Sequence, residues 1–458
     1  VPGPILEVLQ RALPADRIID DSDVAASYLH DRAAWAPHAE AAAVVRPRST
    51  DEVRTVVAAC IELRVPLVTR GAGTGLSGGA NATEGCVVLS TEKMNSILEI
   101  NPVERLAVVG PGVINDDLRA ACAEVGLWYP PDPASSPWST IGGNAATNAG
   151  GLCCVKYGVT RDYVLAMQVV TGRGDVVRLG RRTAKGVAGY DLCSLMVGSE
   201  GTLGVITEVT VRLRAARPAE QTILGYFDTL ADAGRATGSV LESGVVPSAL
   251  ELVDRTCLLA VDEWKNMGLA DGGNVLLLAR TDAAGAAADT EADTIVTCFE
   301  KEGATWAARS SSPEEADALF AARRLAYPAL ERLGPLLTED VCVPVAAIAT
   351  MLGRVEQAAI DFDTRIATVA HAGDGNLHPL ILLPVGDEAA NARAQLAFDR
   401  IITDALELGG TVSGEHGVGL LKRDGLRQEL SPSVLDMHAA IKQALDPAGI
   451  LNPGKVFC

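Results

Sequence analysis

The sequence predicts an α+β fold with more than one domain. Three observations carry that expectation. Short apolar runs of strand character recur along the chain and end in glycine-containing turns. Helical periodicity of three and four residues appears between them. The composition then shifts at Arg214–Pro218, where a glycine-rich first half gives way to strand-like segments alternating with alanine-rich helices.

At 458 residues the chain has room for two or three domains, and 48% apolar with 21% charged residues fits a globular enzyme with a large core. No apolar run approaches the roughly 20 residues that a membrane span needs. The opening stretch VPGPILEVLQRALPADR lacks the basic-then-apolar order of a secretory signal. A net charge of −19 repels phosphate backbones and argues against nucleic acid as a partner. The ten cysteines are scattered with no CxxC spacing, which excludes the usual iron–sulfur and zinc-ribbon patterns and points to reduced thiols in a cytoplasmic setting. Electrons handled by this chain therefore need an organic carrier.

In the first half, Thr50-Asp51 is expected to cap a helix whose Val53, Val56, Val57 and Cys60 form one buried face. A strand over Val65–Thr69 leads into RGAGTGLSGGA (Arg70–Ala80), whose glycines let the backbone approach a ligand and turn its N–H groups inward. A Rossmann site does not fit, because that fold needs a helix straight after the glycine loop. Here only Asn81–Gly85 precedes the next strand, Cys86–Ser90. A second cluster follows Pro130-Pro131-Asp132-Pro133: STIGGNAATNAGG (Ser139–Gly151), small side chains and short amides expected to lie flat against a planar ring system. A third, VGSEGTLGVIT (Val197–Thr207), runs into a strand over Val205–Arg212, while Val164–Thr171 and Val176–Leu179 read as a hairpin over Gly172–Asp175. Three glycine-rich contacts so widely spread fit a long extended cofactor better than a mononucleotide. FAD is the candidate by shape.

In the second half, strands over Ile223–Phe227, Ala249–Val253 and Val275–Arg280 alternate with helices over Thr229–Glu242 and Ala283–Glu302, as in an α+β domain with one sheet face buried. The polar stretch Ser310–Glu315 precedes a helix containing FAARRLAYPAL (Phe320–Leu330). The densest chemistry follows, since residues 366–420 hold three of the six histidines. HAGDGNLH (His371–His378), flanked by Ile366–Val369 and Leu380–Leu383, reads as a hairpin tip with Asp374-Gly375 as its two-residue turn. That pairing puts His371 directly opposite His378 on one face, with Cα atoms roughly 4.5–5.5 Å apart. Two such imidazoles make half of a transition-metal site. Glu415 in SGEHGVG (Ser413–Gly419) is a natural third ligand, and the adjacent His416 is left to act as a base. Zn²⁺ suits two imidazoles and a carboxylate, with Mn²⁺ and Fe²⁺ as alternatives. His438 shares a helix face with Val434 and Ile441 and is expected in packing, while His30 and His38 carry no constellation.

Arg70–Gly79, Pro130–Gly151, Val197–Thr207, HAGDGNLH, SGEHGVG and the terminal NPGK (Asn452–Lys455) together resemble the FAD-linked 2-hydroxyacid dehydrogenases, a group within the vanillyl-alcohol oxidase flavoprotein superfamily that includes D-lactate dehydrogenase, the glycolate oxidase flavin subunit and D-2-hydroxyglutarate dehydrogenase. The match runs in order over nearly the whole chain. It implies a two-part FAD-binding domain over residues 1–214, a substrate-binding cap with an antiparallel sheet over 215–410, and a C-terminal segment over 411–458 that packs back on the flavin domain. The first glycine loop has no His or Cys to tether a flavin, so FAD is expected to be bound non-covalently, and Cys153-Cys154 is expected to be simply buried.

The cofactor residues implied are Arg70, Gly71, Gly73, Thr74, Gly75, Leu76 and Ser77 in the first loop, and Pro131, Asp132, Ser139 and Thr140 ahead of the second. Gly142, Gly143, Asn144, Ala146, Thr147, Asn148, Gly150 and Gly151 complete that cluster, with Gly201, Val205, Ile206 and Asn452 beyond it. By the same resemblance Arg323 holds the substrate carboxylate as a guanidinium fork, and Tyr327, one turn on, borders the side-chain pocket. Asn376 is expected to donate to the substrate or to a ligand.

The implied reaction removes a hydride from C2 of a 2-hydroxy acid to the flavin and the hydroxyl proton to His416, with a divalent metal on His371, His378 and Glu415 lowering the hydroxyl's pKa. Hydroxyglutarate dehydrogenases carry a lysine near the position of Thr338-Glu339-Asp340. With no cation there, D-lactate or a related monocarboxylate is favoured over D-2-hydroxyglutarate. The electron acceptor is expected to be a quinone, a cytochrome or an electron-transfer flavoprotein. A flavin subunit of a glycolate oxidase complex, inert without partners, is the rival reading. A homodimer and a place at the membrane periphery are both left open.

Overall fold

The computed structural model describes residues 3–457 apart from 20, 34 and 385. It consists of two compact units, one made of 1–150, 159–216 and 415–458, the other of 151–158 and 217–414.

The first unit holds two main sheets. In one, β1 (Ile18–Ile19), β2 (Ala41–Val45), β3 (Leu67–Arg70) and β4 (Cys86–Ser90) lie in the order β1-β2-β4-β3, with β2 and β3 both parallel to β4. The glycine loop is the whole connection from β3 to β4, and no helix interrupts it. Helix α1 (Thr50–Leu63) buries Val53, Val56, Val57, Ala59 and Cys60. Its cap is Ser49 rather than Thr50-Asp51: Ser49 keeps extended backbone and its hydroxyl accepts from Glu52 N at 3.2 Å, whereas Thr50 is already helical. Leu67, Val87, Leu89, Val170, Val205 and Leu451 join these residues in one core.

The other sheet is antiparallel throughout, with β5 (Ile97–Asn101), β6 (Leu106–Val109), β7 (Val164–Thr171), β8 (Val176–Gly180) and β9 (Gly204–Arg212) in the order β5-β6-β9-β7-β8. The expected hairpin forms between β7 and β8. The second glycine cluster does not lie flat, because Ile141–Thr147 forms a short helix, α2. Thr140 caps it by accepting from Gly143 N at 3.2 Å, and a Cβ on Gly142 would stand 2.5 Å from Pro111 Cβ. The small residues thus serve close helix packing.

The second unit is built on an eight-stranded antiparallel sheet. Its strands β10 (Gln221–Phe227), β11 (Ala249–Asp254), β12 (Val275–Thr281), β13 (Trp306–Arg309), β14 (Leu336–Thr338), β15 (Arg365–His371) and β16 (Asn376–Leu382) lie in the order β13-β10-β12-β11-β15-β16-β14, and Val341–Cys342 also pairs with β16. Every position of β11 is buried. Side chains alternate between faces, so both faces are covered, not one as expected. One face packs under the helix Arg255–Lys265 and under α3 (Pro313–Glu331), through Val253, Leu276, Leu278, Val369, Cys257, Leu258, Phe320 and Ala326. The opposite face takes the helix Ala286–Lys301, where Phe299 meets Phe227 edge-on at 5.8 Å. Ser312 caps α3, accepting from Glu315 N at 3.2 Å, with Pro313 in the first turn.

Candidate active site

In the second unit the register of three strands gathers the polar residues. Glu251 on β11 pairs with His371 on β15, and Val369 pairs with His378 on β16. By parity Glu251, His371, Asn376, His378 and Thr338 all face the side covered by α3, which carries Arg323. His371 is opposite Asn376, however, not opposite His378. The two-residue type I′ turn that would have matched the histidines needs positive φ at both Asp374 and Gly375. Only Gly375 has it, at +88°. The tip is instead a four-residue turn in which Asp374 N and Gly375 N both donate to His371 O at 3.2 Å. The histidines are consequently diagonal neighbours on one face, and their rings still meet edge to face with centroids 5.1 Å apart. A ring nitrogen of each lies within 4.8 Å of the other.

A buried carboxylate stands behind each imidazole. His371 Nδ1 is 2.8 Å from Glu251 Oε1 and 3.0 Å from Oε2, and His378 Nδ1 is 3.5 Å from Asp340 Oδ1. The His371 contact is a hydrogen bond that fixes the ring and aims its Nε2 the other way, the disposition of a metal-binding histidine, whereas the longer His378 contact is a charge proximity only. The donor set suits a divalent transition metal. Glu251 also ion-pairs with Arg323, whose Nε is 2.9 Å from Oε2 in a geometry short of a linear hydrogen bond. Arg323 is buried, at 8% exposure, while Arg324 is exposed.

Asp340 organises the other side. It accepts from Asn376 Nδ2 at 2.7 Å and from Ser413 Oγ at 2.8 Å, and its carbonyl accepts from Gly414 N at 3.3 Å. Asn376 Nδ2 also donates to Val341 O at 3.1 Å, so both amide hydrogens are engaged within the protein. Asn376, expected to donate to the substrate or to a ligand, uses both donors here on Asp340, an acid of one candidate metal group, and on the Val341 carbonyl. Tyr327 OH is 3.5 Å from Thr338 Oγ1. Glu339 and Asp340 are fully buried, and Glu339 Oε2 accepts from Asp340 N at 2.8 Å. These acids are tied into the fold, and the substrate argument rests on the missing cation. Glu415 and His416 belong to the first unit, directly after Gly414.

In the first unit the glycine clusters converge. A Cβ on Gly71 would lie 2.5 Å from Thr140 Oγ1, joining the first cluster to the second. Asn144 Nδ2 donates to Asn115 Oδ1 at 3.1 Å, and Asn115 in turn holds Pro131 O. From the third cluster, Glu200 N donates to Ala146 O at 2.8 Å. Asn452 Nδ2 bridges Gly79 O at 2.9 Å and Glu200 O at 2.7 Å. Ser77 Oγ donates to His416 O at 3.1 Å. The buried hydroxyls of Thr69 and Ser139 have no partner among the described residues, so this bare-backbone cradle has polar groups to spare for a bound dinucleotide.

Two residues expected at the cofactor have their side chains engaged within the protein. Arg70 turns inward, donating to His30 O at 2.6 Å and Ser27 O at 3.3 Å. Val205 packs in the core. Gly151 falls in the second unit. Cys153 is buried and Cys154 half-buried, and His438 stacks on Phe457 at 4.4 Å from a helix that buries no residue.

Comparison with known proteins agrees with this geometry. Residues 41–180 match the FAD binding domain family, and residues 217–456 match the C-terminal domain of FAD linked oxidases. The chain belongs to the FAD-linked oxidases. As a member of that family it is a flavin-dependent oxidoreductase. It is 42% identical to the glycolate oxidase subunit GlcD of Bacillus subtilis strain 168, over 91% of this chain and 88% of that protein. It is 36% identical to a D-lactate dehydrogenase of Archaeoglobus fulgidus, over 91% of this chain and 92% of that one. Among solved structures, p-cresol methylhydroxylase with substrate bound superposes with a TM-score of 0.82 at 18% identity, covering 99% of this chain and 96% of that one. An alkyldihydroxyacetonephosphate synthase gives 0.76 at 19% identity, covering 98% and 84%. The fold of this FAD-linked oxidase is thus the vanillyl-alcohol oxidase type. Among the described residues no helix is long and apolar enough to cross a membrane.

Proposed function

We propose that this FAD-linked oxidase oxidises a D-2-hydroxy acid to the 2-oxo acid, with D-lactate or a related monocarboxylate as the favoured substrate. One observation carries the reading: the sheet face that bears the His371–His378 pair lies under the helix that carries Arg323, and buried Glu251 touches both His371 and Arg323. A 2-hydroxy carboxylate needs such a set, a cation for its carboxylate and electron-pair donors for a metal beside its hydroxyl. The relatives named glycolate oxidase subunit and D-lactate dehydrogenase support the same class.

When bound, FAD supplies the acceptor for the C2 hydride, and a divalent cation on His371, His378 and Glu415 supplies Lewis acidity at the hydroxyl. Arg323 binds the carboxylate and sets the orientation of C2. His416 takes the hydroxyl proton, for which an imidazole has a suitable pKa. Tyr327 and Thr338 border the substrate side chain. Residues 338–340 offer no cation for a second carboxylate, which favours lactate over hydroxyglutarate.

The deciding experiment is anaerobic mixing of the purified holoenzyme with D-lactate, glycolate or D-2-hydroxyglutarate while the visible flavin band is followed. Bleaching by D-lactate supports the reading, whereas bleaching by hydroxyglutarate alone overturns the substrate assignment. A second reading, a glycolate oxidase flavin subunit that works only with partners, is favoured by the word "subunit" in the name of the 42% identical relative. Glycolate-dependent reduction of an artificial dye by the purified chain would count against it.

A further inference from the structure

One buried carboxylate touches both halves of this site. Glu251 is fully buried in the apolar run Ala-Leu-Glu-Leu-Val of β11, where a charge is costly unless it is paired. It is paired twice. Both its oxygens meet His371 Nδ1, at 2.8 and 3.0 Å, and Oε2 also lies 2.9 Å from Arg323 Nε. The strand register fixes the first contact, because Glu251 and His371 are direct partners in the β11–β15 ladder. The second comes from α3 crossing that face of the sheet.

We propose that Glu251 is a positioning residue that couples the metal-binding histidine to the substrate-binding arginine. It rests on the function proposed above. The carboxylate keeps the proton of His371 on Nδ1, so Nε2 presents its electron pair to a cation. Its charge also lies 2.9 Å from Nε of Arg323, an ion pair without a hydrogen bond that keeps the guanidinium beside the histidine pair. A metal on His371 and a carboxylate on Arg323 are then positioned by one anchor, so loss of that anchor weakens both. A purely structural ion pair would affect stability without moving either affinity.

The test compares Glu251→Gln with Arg323→Met, both as flavin-loaded protein with flavin content and Tm recorded. Mn²⁺ affinity is measured by equilibrium dialysis without substrate, and KM and kcat for D-lactate are measured separately. Glu251→Gln is expected to bind Mn²⁺ about 10–100-fold more weakly and to show a raised KM as well. Arg323→Met is expected to raise KM while keeping wild-type Mn²⁺ affinity. A folded Glu251→Gln with wild-type Mn²⁺ affinity and KM would overturn the inference. If Gln at 251 prevents folding, Glu251→Asp, too short to span both partners, should show both losses in milder form, and wild-type values there would overturn it equally. Wild-type protein that binds no Mn²⁺ or Zn²⁺ would sink the metal reading itself, a result distinct from failure of the Glu251 coupling.

Discussion

Glu200 Oε2 accepts the backbone N–H of Gly419 at 2.9 Å, and Oε1 accepts that of Val418 at 2.7 Å. This carboxylate therefore pins the loop after His416 to the third glycine cluster within the first unit. Burial pushes the Glu200 carboxyl up to about 7; the two backbone donors and Lys455 oppose that shift, while Asp31 adds to it.

Stability should accordingly depend on pH through this group. Between the ordinary value of 4.5 and about 7 the folded state holds a proton that the unfolded state has released. The contribution is therefore fully present below 4.5, falls as pH rises through that window, and is flat above it. Its size is on the order of 3 kcal/mol. Thermal unfolding of wild type and Glu200→Gln at pH 5 and pH 8 isolates it: the variant should gain relative to wild type on going to pH 8. Parallel pH profiles would show that Glu200 is not the cause.

Metal removal should separate the two cofactors. Dialysis against a chelator is expected to abolish flavin reduction by D-lactate while the protein stays yellow, with recovery on adding Zn²⁺ or Mn²⁺. His378→Ala should reproduce the chelated state and resist metal rescue. Undiminished flavin reduction in metal-free enzyme would remove the metal from the reaction.

Arg323→Lys tests the guanidinium fork. A lysine ammonium cannot hold Glu251 through one edge and present a planar pair of donors through another. Losing one charge-assisted contact to the substrate should raise KM about 10–100-fold, with a smaller fall in kcat. Steady-state kinetics with D-lactate measures both, and an unchanged KM would place the carboxylate elsewhere.

How much of this site could be read beforehand depended on whether the information was local. The glycine loops and the two histidine islands announce themselves, because residue types that must turn tightly or bind a cation are uncommon side by side. The helix over Ile141–Thr147 was missed because glycines and short amides hide helical periodicity, leaving Thr140, a favoured N-cap residue type, as its one local signal. The hairpin register was off by two residues because Asp374-Gly375 resembles a type I′ turn, and the backbone angle of Asp374 is not visible in its identity. Glu251 was missed for a deeper reason. A lone acid in an apolar strand signals a buried partner, but which one depends on strands distant in sequence coming into register.

Gly375 provides the last prediction. Its φ of +88° is one that side chains rarely adopt, and an added Cβ would lie 2.0 Å from Val343 O, itself part of a backbone held by the Val343 N to Gly375 O bond of 3.0 Å. Gly303, in the turn after the helix Ala286–Lys301, has φ of +94° but nothing within 4 Å of its would-be Cβ. Alanine at 303 should thus cost only the backbone term, about 1–2 kcal/mol. Alanine at 375 adds a clash with backbone that cannot rotate away and should cost about 1–3 kcal/mol more. Because that clash lies in the turn between His371 and His378, Gly375→Ala should also weaken Mn²⁺ binding, which Gly303→Ala should leave intact. Denaturation midpoints and Mn²⁺ titrations on the pair decide it, and equal effects at the two positions would mean the turn yields without disturbing the histidines.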